Sequence, residues 1–144
     1  MDGQARQAHR LLQLGILLFL LGLLVGLAAS SLTNPRMGLA SHLEGVMNGL
    51  FLVALGLVWP RLSLSSTVQQ VTFWLAVYGT FANLAATFLA ALTGAGAMMP
   101  MAGGRAGATF EEAAISALLV SLALADIAVC LLVLAGLRQP PPAR

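Results

Sequence analysis

The chain has 144 residues, of which 59 % are hydrophobic and only 8 % are charged, and its mean hydropathy is +0.92. Soluble globular proteins carry roughly 25 % charged residues, so this composition excludes a soluble enzyme, a disordered chain and a nucleic-acid-binding protein. The single cysteine excludes an internal disulfide, and the net charge of +2 comes from scattered arginines, not from a basic patch. We expect an integral membrane protein that consists of one domain.

Four apolar segments are long enough to cross a hydrocarbon layer about 30 Å thick, which takes about 20 helical residues. They run from about Leu11 to Leu32, Leu39 to Trp59, Val68 to Leu92 and Ala113 to Leu137. Each is predicted to be helical, because backbone amides in lipid can be satisfied only within the segment itself. We therefore expect an all-α, four-helix transmembrane bundle over residues 1–138, followed by a disordered proline-rich tail at 139–144.

The first segment is expected to remain a helix of the protein, since its apolar run exceeds the roughly 7–15 residues of a signal peptide. It contains Gly22 and Gly26 in the G-x-x-x-G spacing that is typical of close helix packing. The link at 33–38 is predicted to be a turn in which Gly38 is free to adopt a positive φ. The link at 94–109 is the longest and is rich in Gly, Ala and Met.

The arginines predict the orientation in the membrane. Five of them flank the two termini and the second link, whereas Arg36 and Arg105 are the two on the opposite side. The positive-inside rule then places both termini in the cytoplasm. We expect a multi-pass protein of a bacterial inner (cytoplasmic) membrane.

The second segment carries His42 above a stripe of glycines. At about 100° per residue, Gly45, Gly49 and Gly56 lie within about 60° of the direction of the imidazole. A flat macrocycle could lie against such a stripe with its metal bound to the imidazole. Plain helix packing beside a hydrogen-bonded histidine would use the same stripe, and both interpretations remain open.

A second polar face of this segment carries Glu44 and Asn48, which are four residues apart and turned roughly 120–160° from His42. An ionisable side chain within a membrane segment is a functional hypothesis by default, although Glu44 could also reach headgroup water. Asp126 lies deeper, near the middle of the fourth segment. It needs a proton, a polar cavity or a partner, for which an arginine, Asn83 or Asn48 are candidates.

The third segment has Thr80, Asn83 and Thr87 on one helical face. Such a face is expected to contact protein or a cavity, either as interhelical hydrogen bonds or as the wall of a site.

One transmembrane histidine with one Glu and one Asp is too few for a metal site built from protein ligands alone. A haem brings four equatorial ligands and needs only one histidine, so the inventory favours haem over a bare ion.

The segment His42-Leu-Glu-Gly-Val-Met-Asn48-Gly49 resembles the histidine-x5-asparagine-glycine motif of the styrene oxide isomerases, and Phe81-Ala82-Asn83 is similar to the aromatic-Ala-Asn of their third helix. These are small four-helix membrane enzymes that bind haem b. The resemblance implies a homotrimer with haem b between neighbouring protomers and with His42 as the axial ligand of its iron. It also implies that Asn48 helps to position an epoxide.

The implied reaction is a redox-neutral Meinwald rearrangement, in which the iron acts as a Lewis acid and an aryl epoxide becomes an aldehyde. The expected catalytic residues are Asn48, Asn83 and Thr87, the cofactor-binding residues are His42, Gly45 and Gly49, and the substrate is an apolar epoxide from the bilayer. Thr87 stands where the family has a tyrosine, and Glu44 replaces a small residue of the motif. The alternatives are a non-catalytic haem protein (an electron carrier or gas sensor) and a cofactor-free bundle with Glu44 and Asp126 as proton-linked groups.

Overall fold

Four long helices make up most of the computed structural model, which describes residues 3–138. The helices are α1 (Gly3–Ala28), α2 (Pro35–Val58), α3 (Ser66–Thr93) and α4 (Thr109–Leu137), and short 3₁₀ turns lie at Ala29–Ser31, Trp59–Arg61 and Pro100–Ala102. Each of the four helices is long and apolar enough to cross a membrane. The predicted all-α transmembrane bundle is confirmed, while the tail at 139–144 lies outside the described residues.

The helices pack in chain order and do not all meet at one centre. α1 and α2 form the most extensive contact, α3 packs on α2, and α4 packs on α3, with α1 touching α3 only lightly. The main core, which includes Leu11, Leu18, Leu52 and Trp59, lies among α1, α2 and α3, and Val129 of α4 packs into it. α2 is therefore flanked by α1 on one side and by α3 on another, and this arrangement decides where its polar side chains point.

Glycines let the backbones of α1 and α2 touch. A Cβ placed on Gly45 would lie 2.5 Å from the Cα of Gly22, and one placed on Gly15 would lie 2.7 Å from the carbonyl oxygen of Gly49. Lipid gives helices no hydrophobic drive to associate, so such backbone contact through small residues supplies much of the attraction. Gly22, the first glycine of the G-x-x-x-G pair, therefore makes the close helix contact that the sequence predicts.

α1 begins at Gly3, well before the predicted Leu11, because its polar first turns dock on the end of α2. Gln4 donates through Nε2 to the carbonyl oxygen of Trp59 at 2.8 Å, and the indole N–H of Trp59 donates to Oε1 of Gln7 at 3.2 Å. A count of apolar residues misses these turns, because their side chains are polar. Those side chains nevertheless belong to the folded bundle, since they bond to Trp59.

The turn predicted at 33–38 is wrong, because α2 already begins at Pro35. Asn34 caps the helix by accepting the backbone N–H of Met37 at 3.2 Å. Proline suits the first helical position, where its missing N–H would have no partner anyway. Gly38 is helical and buried; within residues 3–138, positive φ angles occur at Gly94 and Gly103.

The long link between α3 and α4 is fastened by one carboxylate. Glu112 accepts backbone N–H groups of Gly96 at 3.1 Å, Ala97 at 3.1 Å and Gly107 at 2.8 Å. The first two donors open the link and the third closes it, so Glu112 joins its two ends. α4 consequently begins at Thr109 and not at the predicted Ala113, since its first acidic turn serves the link.

Substituting Gly45→Ala should destabilise the protein, because the new methyl group would push the backbone of α1 away. We expect a loss of about 1–3 kcal/mol in the free energy of unfolding, which is typical of overpacking. The apparent Tm of detergent-solubilised protein measures it. Gly3→Ala is the control, since nothing lies within 4 Å of a Cβ there. A Gly45→Ala variant as stable as Gly3→Ala would contradict the packing.

Candidate functional site

His42 lies half-buried at the contact between α1 and α2, and its ring is held from one side. Nδ1 is 2.8 Å from the carbonyl oxygen of Gly22. Because a carbonyl oxygen can only accept, Nδ1 carries a proton, and the neutral tautomer with this bond has its lone pair on Nε2. A Cβ on Gly26 would lie 2.5 Å from Nδ1, so the ring fits only because residue 26 is glycine. A hydrogen bond of this kind fixes the tautomer and orientation of a histidine that binds a metal through its other nitrogen.

The same histidine lines an apolar groove on the outer surface of the bundle. The groove has a volume of about 540 Å³ and is lined by Leu23, Gly26, Leu27, Ala29, Leu39 and His42. The three leucines are well exposed in the isolated protomer. His42 is thus the one titratable side chain among the lining residues of a groove that otherwise suits lipid or another apolar group.

The glycine stripe below His42 faces α1 and is fully occupied by it. A Cβ on Gly49 would lie 2.6 Å from the backbone nitrogen of Phe19, and Gly45 contacts Gly22 as described above. Of the two interpretations that the stripe allows, the structure shows helix packing. The prediction that Gly45 and Gly49 bind a cofactor finds no support, because α1 fills the face on which a macrocycle would lie.

Glu44 forms the centre of a polar cluster between α2 and α3. Its Oε2 atom accepts the Nδ2 amide of Asn83 at 2.8 Å and the Nδ2 amide of Asn48 at 3.2 Å. All three side chains are half-buried, so the cluster is neither sealed nor fully exposed. The structure therefore brings together the predicted residues Asn48 and Asn83. The sequence indicated that Asn48 shares a face with Glu44, but nothing in it pointed to the contact with Asn83.

The two threonines of the polar face on α3 do not reach another helix. Thr87 donates to the carbonyl oxygen of Asn83 at 2.8 Å, and Thr80 donates to that of Ala76 at 2.7 Å. Hydroxyl groups in helices commonly bond back to the preceding turn in this way. The prediction that Thr87 helps to line a pocket is not supported, since its side chain is only 5 % exposed and its proton is used within α3.

Asp126 lies against α3 and not against the predicted asparagines. Its Oδ1 atom lies where a Cβ on Gly79 would collide with it. This oxygen has no hydrogen-bond partner within residues 3–138. Glu44 is close enough to interact with Asp126 electrostatically, and the interaction is repulsive when both groups are ionised. Gly79 and Asn83 are one helical turn apart, so both carboxyl groups approach the same side of α3. The role of Asp126 as a proton-linked group stays a prediction.

Tyr78 points away from this cluster. Its hydroxyl group lies 2.6 Å from Oγ of Ser121 on α4, and Ser121 donates its own proton to the carbonyl oxygen of Ala117 at 2.7 Å. Tyr78 is therefore the donor of the first bond. Neither Tyr78 nor Thr87 therefore offers a free hydroxyl group to the cluster around Glu44.

α2 separates two groups of functional side chains. His42 bonds to α1 and opens into the apolar groove, whereas Glu44 bonds to α3 and also accepts the amide of Asn48. The angle along the helix predicts this divergence. Within residues 3–138, no three metal-ligating side chains (His, Cys, Asp or Glu) come together. A metal at His42 would therefore need to bring its remaining ligands.

Comparison with known proteins adds a family and two relatives. The family model described as styrene oxide isomerase matches residues 7–138. The hydroxylaminobenzene mutase HabB of Ectopseudomonas oleovorans is 55 % identical over 139 residues, which cover 95 % of this chain and 85 % of the relative. The hydroxylaminobenzene mutase HabA of the same organism is 46 % identical over 127 residues, which cover 87 % of this chain and 94 % of the relative. No solved structure matches the chain.

Removal of the Asn83 amide should weaken the contact between α2 and α3. We expect Asn83→Ala to cost about 1–2 kcal/mol in the free energy of unfolding, as for a side-chain hydrogen bond between helices of a membrane protein. Asn48→Ala should cost less, since its 3.2 Å bond joins residues of the same helix. Thermal unfolding in detergent compares the two variants. Equal losses would show that the bond to Asn83 does not join the helices.

Proposed function

This chain belongs to the styrene oxide isomerase family, and from that membership we propose that it is a haem-dependent mutase that rearranges an arylhydroxylamine such as hydroxylaminobenzene. The family and the two mutase relatives make it a membrane isomerase. The observation that carries the choice of substrate is the 55 % identity to a hydroxylaminobenzene mutase over 95 % of this chain. A non-catalytic haem protein is thereby set aside in favour of an enzyme.

The proposed reaction is balanced without any other reactant. The N–O bond of hydroxylaminobenzene breaks, a C–O bond to the ring forms, and the proton displaced from the ring carbon is matched by one gained at nitrogen, which gives an aminophenol. No electron is gained or lost overall. The sequence-based expectation of a redox-neutral internal rearrangement is kept, while the substrate changes from an epoxide to an arylhydroxylamine.

Epoxide isomerisation is the second candidate. The description of the matching family supports it, since styrene oxide isomerase names an enzyme that acts on an aryl epoxide. The hydroxyl group of Thr87 offers an epoxide oxygen no hydrogen bond, because it is buried and bonded within α3. Both candidate substrates carry an apolar aryl ring, and the exposed leucines around the His42 groove suit entry from the bilayer.

The residues at His42 fit a haem that is held by one histidine. The bond from Nδ1 to Gly22 leaves the lone pair on Nε2, and the groove beside the ring is apolar. When bound, the iron supplies a Lewis acid for the oxygen of the substrate. Gly22 and Gly26 hold the imidazole in place, whereas Gly45 and Gly49 serve the contact with α1 and take no part.

A homo-oligomer completes the proposed site. His42 and the Glu44 cluster lie on different sides of α2, so one protomer offers two half-sites and not one whole site. The groove is open on its outer side and bordered by exposed leucines, which a second copy can cover. In the proposed trimer, the groove of one protomer lies beside the amides of its neighbour.

The orientation with both termini in the cytoplasm is also proposed. Arg36 and Arg105 line one polar pocket, so they lie at the same end of the bundle, as their assignment to one side requires. Arg61 lies at the opposite end of α2, beside the first turns of α1. The excess of arginine at the end with the termini supports a cytoplasmic location for that end.

Membranes that contain the protein should convert hydroxylaminobenzene into an aminophenol with no added electron donor or acceptor. Chromatography with mass detection measures the product, and membranes from cells without the gene are the control. Conversion of styrene oxide to phenylacetaldehyde with no conversion of hydroxylaminobenzene would favour the epoxide isomerase instead.

The purified protein should show a Soret band that the His42→Ala variant lacks. Loss of the imidazole removes the one ligand that the protein provides, whereas Asn48→Ala should keep the band. Absorption spectra of protein expressed with added haem precursor provide the measurement. A colourless wild-type protein would refute the haem proposal, and a His42→Ala variant with an unchanged band would show that another residue binds the iron.

A further inference from the structure

We infer that Glu44 determines the substrate preference of the site by turning the carbonyl oxygens of Asn48 and Asn83 toward the substrate. The inference rests on the proposed function, since it takes these amides to be those beside the substrate. It assigns to Glu44 the role of a positioning residue that selects ligands able to donate hydrogen bonds.

The geometry fixes the direction of both amides. Each places Nδ2 on the same carboxylate oxygen, Oε2 of Glu44, at 2.8 Å from Asn83 and 3.2 Å from Asn48. In both bonds the amide NH₂ group is the donor and the carboxyl oxygen is the acceptor. The NH₂ end of each amide must therefore face Glu44. Because the nitrogen and the oxygen of a planar amide diverge from the same carbon atom, neither carbonyl oxygen faces Glu44.

These two oxygens are open to a ligand. Neither has a hydrogen-bond partner within residues 3–138, and the sealed polar atoms without partners are found on other residues. The amides come from two different helices, so together they present two acceptors across the boundary between α2 and α3. An acceptor in an apolar setting is satisfied only by a donor from the ligand or from water.

The two candidate substrates differ in this respect. An arylhydroxylamine has one N–H and one O–H group that can donate, whereas an epoxide oxygen only accepts. Two outward carbonyl oxygens therefore favour the hydroxylamine. A site that is built to bond a polar group rejects an analogue without that group, because the site's own groups are then left unpaired. Without Glu44, the amides are free to rotate and to offer their NH₂ groups to an epoxide.

The test compares kcat/KM for hydroxylaminobenzene with kcat/KM for styrene oxide in membranes. Glu44→Ala should lower this ratio by roughly tenfold, the value of one hydrogen bond. Glu44→Gln should keep most of the preference, since one acceptor oxygen is enough to hold both amides. Ser121→Ala removes a polar group of α4 outside the cluster and should leave the ratio unchanged. A ratio unaffected by Glu44→Ala would overturn the inference.

Equilibrium binding separates this inference from the proposed function. Aniline, which donates, and acetophenone, which only accepts, serve as unreactive probes in calorimetric titrations of detergent-solubilised wild-type and Glu44→Ala protein. The ratio of their affinities should shift toward acetophenone in the variant. If the wild-type protein does not convert hydroxylaminobenzene, the proposed function fails, whereas an unchanged affinity ratio refutes the role of Glu44 whatever the reaction.

Discussion

The backbone contact between α1 and α2 determines where the functional side chains of this protein can point. Gly22 and Gly45 allow the two helices to touch, and this places the carbonyl oxygen of Gly22 within reach of His42. The same contact closes the glycine face of α2. The functional side chains of α2 are therefore left on the two flanks of the helix, with the imidazole on one and the carboxylate on the other.

Several of the few polar side chains of the membrane helices have identifiable hydrogen-bond partners. Thr80 and Thr87 satisfy themselves within α3, and Tyr78 is bonded to α4. Within residues 3–138, the side-chain hydrogen bond that joins α2 to α3 is thus the one from Asn83 to Glu44. In a lipid environment such contacts persist because no water competes for them, so a single carboxylate can both join two helices and orient the groups around it.

The four helices, their order and the divergence of His42 from Asn48 follow from run lengths and from the helical angle. The start of α1 does not, because Gln4 is a polar residue whose partners lie far along the chain. The start of α2 has a local signal in Asn34 and Pro35, which a count of apolar residues overlooks. The glycine stripe suits either a macrocycle or a second helix, and only the position of α1 decides between them. Thr87 illustrates a similar limit, since a hydroxyl group can bond to its own helix or to a neighbour with no difference in sequence. The bond from Asn83 to Glu44 spans 39 positions and has no local signature.

The carboxylate of Glu112 has a consequence for how this protein can vary. It accepts the backbone N–H groups of both Ala97 and Gly107, so the residues between them form a loop that is closed at its two ends. Lengthening a closed loop costs little, since the entropy of closure grows only with the logarithm of its length. Insertions in this loop would leave both of its attachment points to Glu112 in place. This makes the loop at 98–106 the part of the chain in which related proteins can differ in length without altering the membrane helices.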